Sequence, residues 1–180
     1  ETRCESLLPL VEAFRAELHA IVLNTPFSAG FKEKLKAAME ETFGSYDPPG
    51  VFVRADTNVE DLAGFTGAGL NLTLPNVVGH ENLQKAISEA WASPFTARAF
   101  ASRQSHMTQP EHVYTSVLLL ESVAADKSGV LVTQDIDTGN RDVISVAVNE
   151  GHGGAVDRQA AESLRIALDG SSVLAVATAT

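Results

Sequence analysis

Arg54 stands between the apolar run Val51-Phe52-Val53 and a stretch that holds Asp56, Glu60, Asp61, Gly64, Gly67 and Gly69. Such a set can bind phosphate. A guanidinium supplies fixed charge and forked donors, and glycines let backbone N–H groups approach an anion closely. The same residues can form a surface ion pair of Arg54 with Asp56, Glu60 or Asp61, and residue chemistry alone favours that reading. Glu60 and Asp61 also read as caps for the structure that follows, or as the groups that set the angle of Arg54.

Other residues offer weaker chemistry. His152 lies among glycines and could carry phosphate or ligate a metal, though a lone histidine in a loop is more often neither. Ser105-His106 has the residue types of a phosphohistidine motif without a glycine-rich, helix-opening context, and His80 and His112 flank elements as solvated side chains. Asp135 and Asp137 could hold a cation with Glu150, but their setting favours turn formation. Arg98 and Arg103 lie one face apart on a helix, where a buried or bridging role is favoured over substrate contact.

The elements that must position these residues follow from periodicity. Leu7, Val11, Phe14, Leu18 and Ile21 predict an amphipathic helix over 3–23. Phe31, Leu35, Met39 and Phe43 predict a second over 28–43, with Gly44 as its C-cap. Asp47-Pro48-Pro49-Gly50 is a turn. Val51–Val53 reads as a short strand that delivers Arg54 into a loop, and alternating Leu70, Leu72 and Leu74 predict a strand over 68–74. Leu83, Ala86, Ile87, Ala90 and Trp91 predict a helix over 80–92. Ser93 as N-cap and Pro94 as first helical residue start another, reaching about Ser105. Strands are expected over 113–121, with Val117–Leu120 buried on both sides, over 129–133 and over 143–149; the residues 135–140 form a turn, and 150–154 a loop. Leu164, Ile166 and Leu168, then Val173, Ala175 and Ala177, predict a hairpin, with a helix over 158–168 as the alternative. Helices and strands do not alternate regularly, so the fold class expected is α+β.

At 180 residues, 44% apolar and 20% charged, the chain is expected to be one domain or a piece of one. A net charge of −10 argues against broad nucleic-acid binding but leaves room for a nucleotide. No apolar run approaches the ~18 residues of a membrane span. Cys4 is the only cysteine, which excludes a disulfide framework and makes a reducing, cytoplasmic setting the default. The chain starts at Glu1 without a leader pattern and ends at Thr180 in a strand without a terminator, so a piece of a longer protein is expected.

Several segments resemble one family. Val53-Arg54, Glu60-Asp61-Leu62, Phe65 and Gly67 are similar to the "VRSSATAEDLPDASFAG" signature of the nucleotide-binding domain of phosphoenolpyruvate synthase and pyruvate phosphate dikinase. Arg54–Asn58 and Gly64–Leu70 are closer still to the related glucan water dikinases. Trp91-Ala92-Ser93-Pro94-Phe95-Thr96-Ala97-Arg98-Ala99 resembles the family's "WASLFTDRA". Ser128–Thr133 with Asp135, Asp137, Thr138 and Gly139 resembles "SGVLFTxDPxTG". The resemblance covers about residues 50–155.

The resemblance implies an ATP-grasp-like domain in which ATP lies between two α+β lobes, 1–47 being a helical lead-in and 48–180 the ATP-grasp-like portion. It implies ATP and Mg²⁺ as cofactors, and a dikinase-type phosphotransferase. Phosphate would pass from ATP to a histidine on a separate swivelling domain and then to pyruvate or a glucan. By position, Arg54 matches the arginine that contacts the ATP phosphates, and Glu121, Ser122 and Val123 match the hinge whose backbone meets adenine. No metal ligands are implied by matching residues. Two departures qualify this. Gly151-His152-Gly153-Gly154 aligns with the family's "GLGE", so Gly154 replaces a glutamate. The family's distal acidic pair and glutamine have no match, nor has its ATP-binding lysine, for which Lys32, Lys34 and Lys36 are poor substitutes. The chain alone is expected to be inactive. The alternative reading is a degenerate module that binds a nucleotide or a partner domain without catalysis.

Overall fold

The structure, a computed structural model, describes residues 2–44, 48, 50–62, 65–66, 69–106, 109, 111–151 and 162–177. They fall into two compact units, Glu1–Ser122 and Val123–Thr180. Helices lead and antiparallel sheets follow, the expected α+β order.

In the first unit, α1 spans Thr2–Asn24 and α2 spans Ala29–Phe43. Ser28 starts α2 by accepting the Phe31 N–H at 3.2 Å. Gly44 ends it at φ 65°, donating its N–H to the Glu40 carbonyl at 3.0 Å, as expected of a C-cap.

The next strand corrects the reading of Arg54. β1 runs Val51–Thr57 rather than stopping at Val53, so Arg54 lies mid-strand and not in a loop. The cause is pairing from far along the chain. β5, Thr115–Glu121, runs antiparallel to it in unbroken register from Val51↔Glu121 to Thr57↔Thr115. Val51, Val53 and Ala55 turn inward and are fully buried, so the polar Arg54 and Asp56 occupy the outward positions a strand offers them. β5 alternates too. Leu118 is 50% and Leu120 42% exposed, so the expectation of burial on both sides is wrong; among the described residues helices cover one face of this sheet.

Two short strands, β2 at Asp61–Leu62 and β3 at Phe65–Thr66, pair with each other. β4 spans Thr73–Val77, not 68–74. Gly69 turns the chain at φ 74°, and the Leu72 carbonyl accepts the Ala55 N–H at 2.8 Å just before the strand begins. β4 continues past Pro75 because it is an edge strand in the order β4-β1-β5. A register shift against Val51–Val53 and a positive φ of 55° at Asn76 accompany that stretch.

α3, His80–Ala92, packs Leu83, Ala86, Ile87 and Ala90 on β1, and Met39 of α2 completes the cluster. The following start signal is displaced. Ser93–Phe95 forms a 3₁₀ turn and α4 spans Ala97–His106. Ser93 Oγ donates back to the Ala90 carbonyl at 2.8 Å, and Thr96 Oγ1 instead accepts the Ala99 N–H, at 3.4 Å.

The second unit is an antiparallel meander of β6 (Lys127–Val132), β7 (Val143–Glu150), β8 (Glu162–Ala167) and β9 (Val173–Ala177). The hairpin expectation holds, and the alternative helix does not form over 162–167. The loop reading of 150–154 and the alignment of His152, Gly153 and Gly154 lie outside the described residues beyond Gly151.

The turn at 135–140 is built by its own acids. Asp135 Oδ1 accepts the N–H groups of Asp137 at 2.8 Å and Thr138 at 3.2 Å. Arg165 of β8 reaches Asp137 Oδ2 at 2.7 Å and Asp135 Oδ1 at 3.5 Å. The Asp137 N–H above all, helped by the Thr138 N–H and by the charge and hydrogen bond of Arg165, holds the Asp135 carboxyl below its usual range, against an opposing effect of burial that is second in size only to the Asp137 bond. Since the folded form prefers the carboxylate, its contribution is complete above the ordinary aspartate pKa and is lost as pH falls through the lower folded value. The Gly139 amide, which donates to the Asp135 carbonyl at 2.8 Å, is therefore expected to keep its NMR shift down to about pH 4 and to move below it. Arg165→Ala should raise that midpoint; an unmoved midpoint contradicts the arrangement.

Candidate functional site

β1 carries Arg54 at the centre of the open face of its sheet, between Thr73 of β4 and Leu118 of β5. Directly opposed residues of antiparallel strands share a face, so Phe52, Arg54 and Asp56 stand with Ser116, Leu118 and Leu120. An open depression of about 510 Å³ lies there, lined by Arg54, Asp56, Thr57, Asn58, Glu60 and Leu118.

Among the described residues, Arg54 forms no ion pair with Asp56 or Glu60. The surface-pair reading thus has no support from those two acids. Glu60 is otherwise engaged: its Oε2 accepts Asn71 Nδ2 at 2.8 Å, tying the end of β1 to the turn before β4. Arg54 presents a cation on a backbone fixed from both sides, which suits an anion that arrives from solvent.

Asn58 builds the other wall. Its Oδ1 accepts the Tyr114 N–H at 2.8 Å, its Nδ2 donates to the His112 carbonyl at 3.1 Å, and its own N–H donates to the Tyr114 carbonyl at 3.3 Å. These bonds fasten the end of β1 to the segment entering β5. Sequence reasoning named Asn58 only as part of the resemblance. Its partner lies 56 positions away, and no local signal announces such a bond.

The three hinge candidates sit at the end of β5. Glu121 is exposed and pairs with Val51. The Ser122 N–H already donates to the Gly50 carbonyl at 3.0 Å. That N–H is therefore not free for a ligand. Ser122 Oγ is buried with no partner among the described residues. Ser122 and Val123 also mark the boundary between the two units.

The other described candidates of the first unit are not among the residues that line the depression. Ser105 Oγ and the Ser102 carbonyl each lie 2.8 Å from His106 Nδ1 in the last turn of α4, a helix-terminal arrangement. His112 Nδ1 lies 3.1 Å from Gln109 Oε1. Asp135 and Asp137 serve their turn, and the described residues contain no cluster of three acid, histidine or cysteine side chains suited to a metal. A buried or bridging role is expected of both arginines from their sequence; Arg103 is buried, whereas Arg98 is exposed, its Nη2 beside Gly69. Among the described residues no helix is long and apolar enough to cross a membrane.

Comparison with known proteins places the chain in a family. Residues 8–174 match the family model of the pyruvate phosphate dikinase AMP/ATP-binding domain. The chain is 36% identical over 104 residues to a rifampicin phosphotransferase of Bacillus cereus, covering 58% of this chain and 12% of that protein. It is 31% identical over 144 residues to a probable phosphoenolpyruvate synthase of Pyrococcus abyssi, covering 78% of this chain and 18% of the relative. A rifampicin phosphotransferase of a Streptomyces species is 31% identical over 147 residues, 81% of this chain and 16% of that one. The chain thus spans under a fifth of the length of these relatives.

Proposed function

Since the chain belongs to the pyruvate phosphate dikinase AMP/ATP-binding domain family, we propose that it is the ATP-binding portion of a phosphoenolpyruvate synthase-like phosphotransferase. ATP is the ligand that the family supplies. In this reading the chain forms part of one ATP-grasp-like domain, 1–47 leading in and 48–180 holding nucleotide, and it works in the cytoplasm. The observation that carries the reading is Arg54, mid-strand, beside an open depression and without an ion-pair partner among the described residues.

The chemistry asked of the chain is positioning and charge. In phosphoryl transfer the P–O bond to the leaving phosphate breaks while a bond to the acceptor forms, and negative charge spreads over the transferred oxygens. Arg54 would donate N–H bonds to those oxygens. A guanidinium held in place before the substrate arrives stabilises that charge without reorganising. Mg²⁺, carried in with the nucleotide, would neutralise the remaining phosphate charge; Asp56 and Glu60 line the same depression. Backbone groups at Glu121–Val123 would meet the adenine. The acceptor would be a histidine of a separate swivelling domain, which then passes phosphate to a final acceptor. Pyruvate and a glucan are two candidates, and the names of the relatives add rifampicin as a third.

Incubation of the full-length protein with ATP labelled at the β- or γ-position tests this. Acid-labile phosphohistidine is expected, followed by release of label to one of the three acceptors. ATP binding without any phosphohistidine would favour the non-catalytic module instead.

A further inference from the structure

Arg103 of α4 is 5% exposed, a costly place for a permanent cation. Its guanidinium lies 5.7 Å from the Phe95 ring centre and 5.8 Å from that of Phe100, contacts that offset part of the cost. They do not satisfy its donors. Nε has no hydrogen-bond partner among the described residues, and burial lowers the pKa of the group. A buried arginine with an unused donor needs an acceptor.

The surroundings contain room for one. Arg103 lines a small cavity of about 20 Å³ together with Thr57, Val59, Leu70, Asn71 and Pro94. A water needs roughly 10–15 Å³ and two to four polar partners. The polar lining meets that count. Arg103 donates, Thr57 has a hydroxyl, and Asn71 keeps its amide oxygen because Glu60 engages only its nitrogen. The cavity is too small for a phosphate group and is walled largely by apolar side chains.

We propose that Arg103 is a positioning residue: through one ordered water in this cavity it holds Thr57 and Asn71, and through Asn71 it holds Glu60 at the rim of the depression beside Arg54. The proposal rests on reading that depression as the phosphate site. Thr57 ends the strand that carries Arg54, three residues on. Glu60 lines the depression, its N–H donates to the Thr57 carbonyl at 3.3 Å, and among the described residues its carboxylate bonds to Asn71 Nδ2. Loss of the Arg103 donor would loosen both ends of this connection without removing any group that touches nucleotide.

A crystal structure of the full-length protein is expected to show a water within hydrogen-bond distance of Arg103 Nε and of an oxygen of Thr57 or Asn71. A dry cavity, or a carboxylate on Nε, overturns the proposal. In function, Arg103→Met keeps the apolar stem between the rings and removes the donors; ATP should bind about tenfold more weakly, the size of one hydrogen bond to a charged group. Arg103→Lys, which retains a donor, should recover most of that loss. Asn71→Ala should cost a similar factor, and the double variant little more than either alone, because the two act through one water. Full additivity, or a lowered melting temperature with unchanged ATP affinity, contradicts the positioning role. If Arg54→Ala also leaves ATP affinity unchanged, the reading of the depression fails. Hydrogen exchange at the Asn58 and Glu60 amides then decides for Arg103: faster exchange in Arg103→Met supports it, and unchanged exchange overturns it.

Discussion

Replacing Arg54 with alanine is expected to weaken binding of Mg²⁺–ATP to the full-length protein and to slow phosphohistidine formation by about two to three orders of magnitude, the usual cost of deleting one preorganised donor to a developing anion. The size follows from how the residue is held. Arg54 lies in the middle of β1, paired to Leu118 on one side and Thr73 on the other, so its backbone has little freedom left to lose on binding. Among the described residues no carboxylate must be displaced before an anion can enter. Arg54→Lys should fall between wild type and alanine, because lysine keeps the charge but loses the planar fork. The protein should remain folded in both variants, since the side chain is exposed and Val53 and Ala55 on either side keep the core contacts. A calorimetric titration reads the effect directly, and an affinity within a factor of about two of wild type would remove Arg54 from the site.

Leu83→Ala should produce the largest loss of stability. Leu83 is fully buried at the centre of the cluster formed by α3, β1 and Met39. Truncation leaves a cavity between a helix and a sheet that β5 holds on its far edge, so little collapse is available. Such changes cost about 2–5 kcal/mol, a large share of the roughly 5–15 kcal/mol that domains possess. Hydrogen exchange should accelerate at the β1 amides and stay unchanged in β6–β8, because the cluster contains no residue of the second unit. Leu118→Ala provides the contrast. That leucine is half exposed on the open face, and its loss should stay within about 1 kcal/mol. Equal losses for the two leucines would contradict the assignment of faces.

These two sites also show how far the sequence was legible. The helices were legible because their signals are local. Phe31, Leu35, Met39 and Phe43 repeat at helical spacing, and Gly44 closes the helix with its own N–H. The hairpin of β8 and β9 was legible from alternation across Asp169-Gly170. Arg54 was identifiable by type, and its likeness to a known signature gave it a role to test. Its place in the fold was not legible. Arg54 and Asp56 look like the start of a loop until Ser116 and Leu118, some sixty residues later, pair with them. β4 was misplaced because Gly69 and the Leu72–Ala55 bond delay its start, which an alternation of leucines cannot reveal. Ser93 and Thr96 are both good capping residues. Only the bond from Ser93 back to Ala90 leaves the cap to Thr96. Arg103 carried a hint of burial in its helix, but the cavity beside it depends on Thr57 and Asn71 from other elements.

In the proposed reading the depression beside Arg54 receives the phosphates of ATP. A crystal structure of the full-length protein with Mg²⁺ and a non-hydrolysable ATP analogue tests it most directly. The phosphate chain is expected over β1, with at least one non-bridging oxygen within hydrogen-bond distance of the Arg54 guanidinium. A nucleotide bound elsewhere, with Arg54 facing solvent, would contradict it.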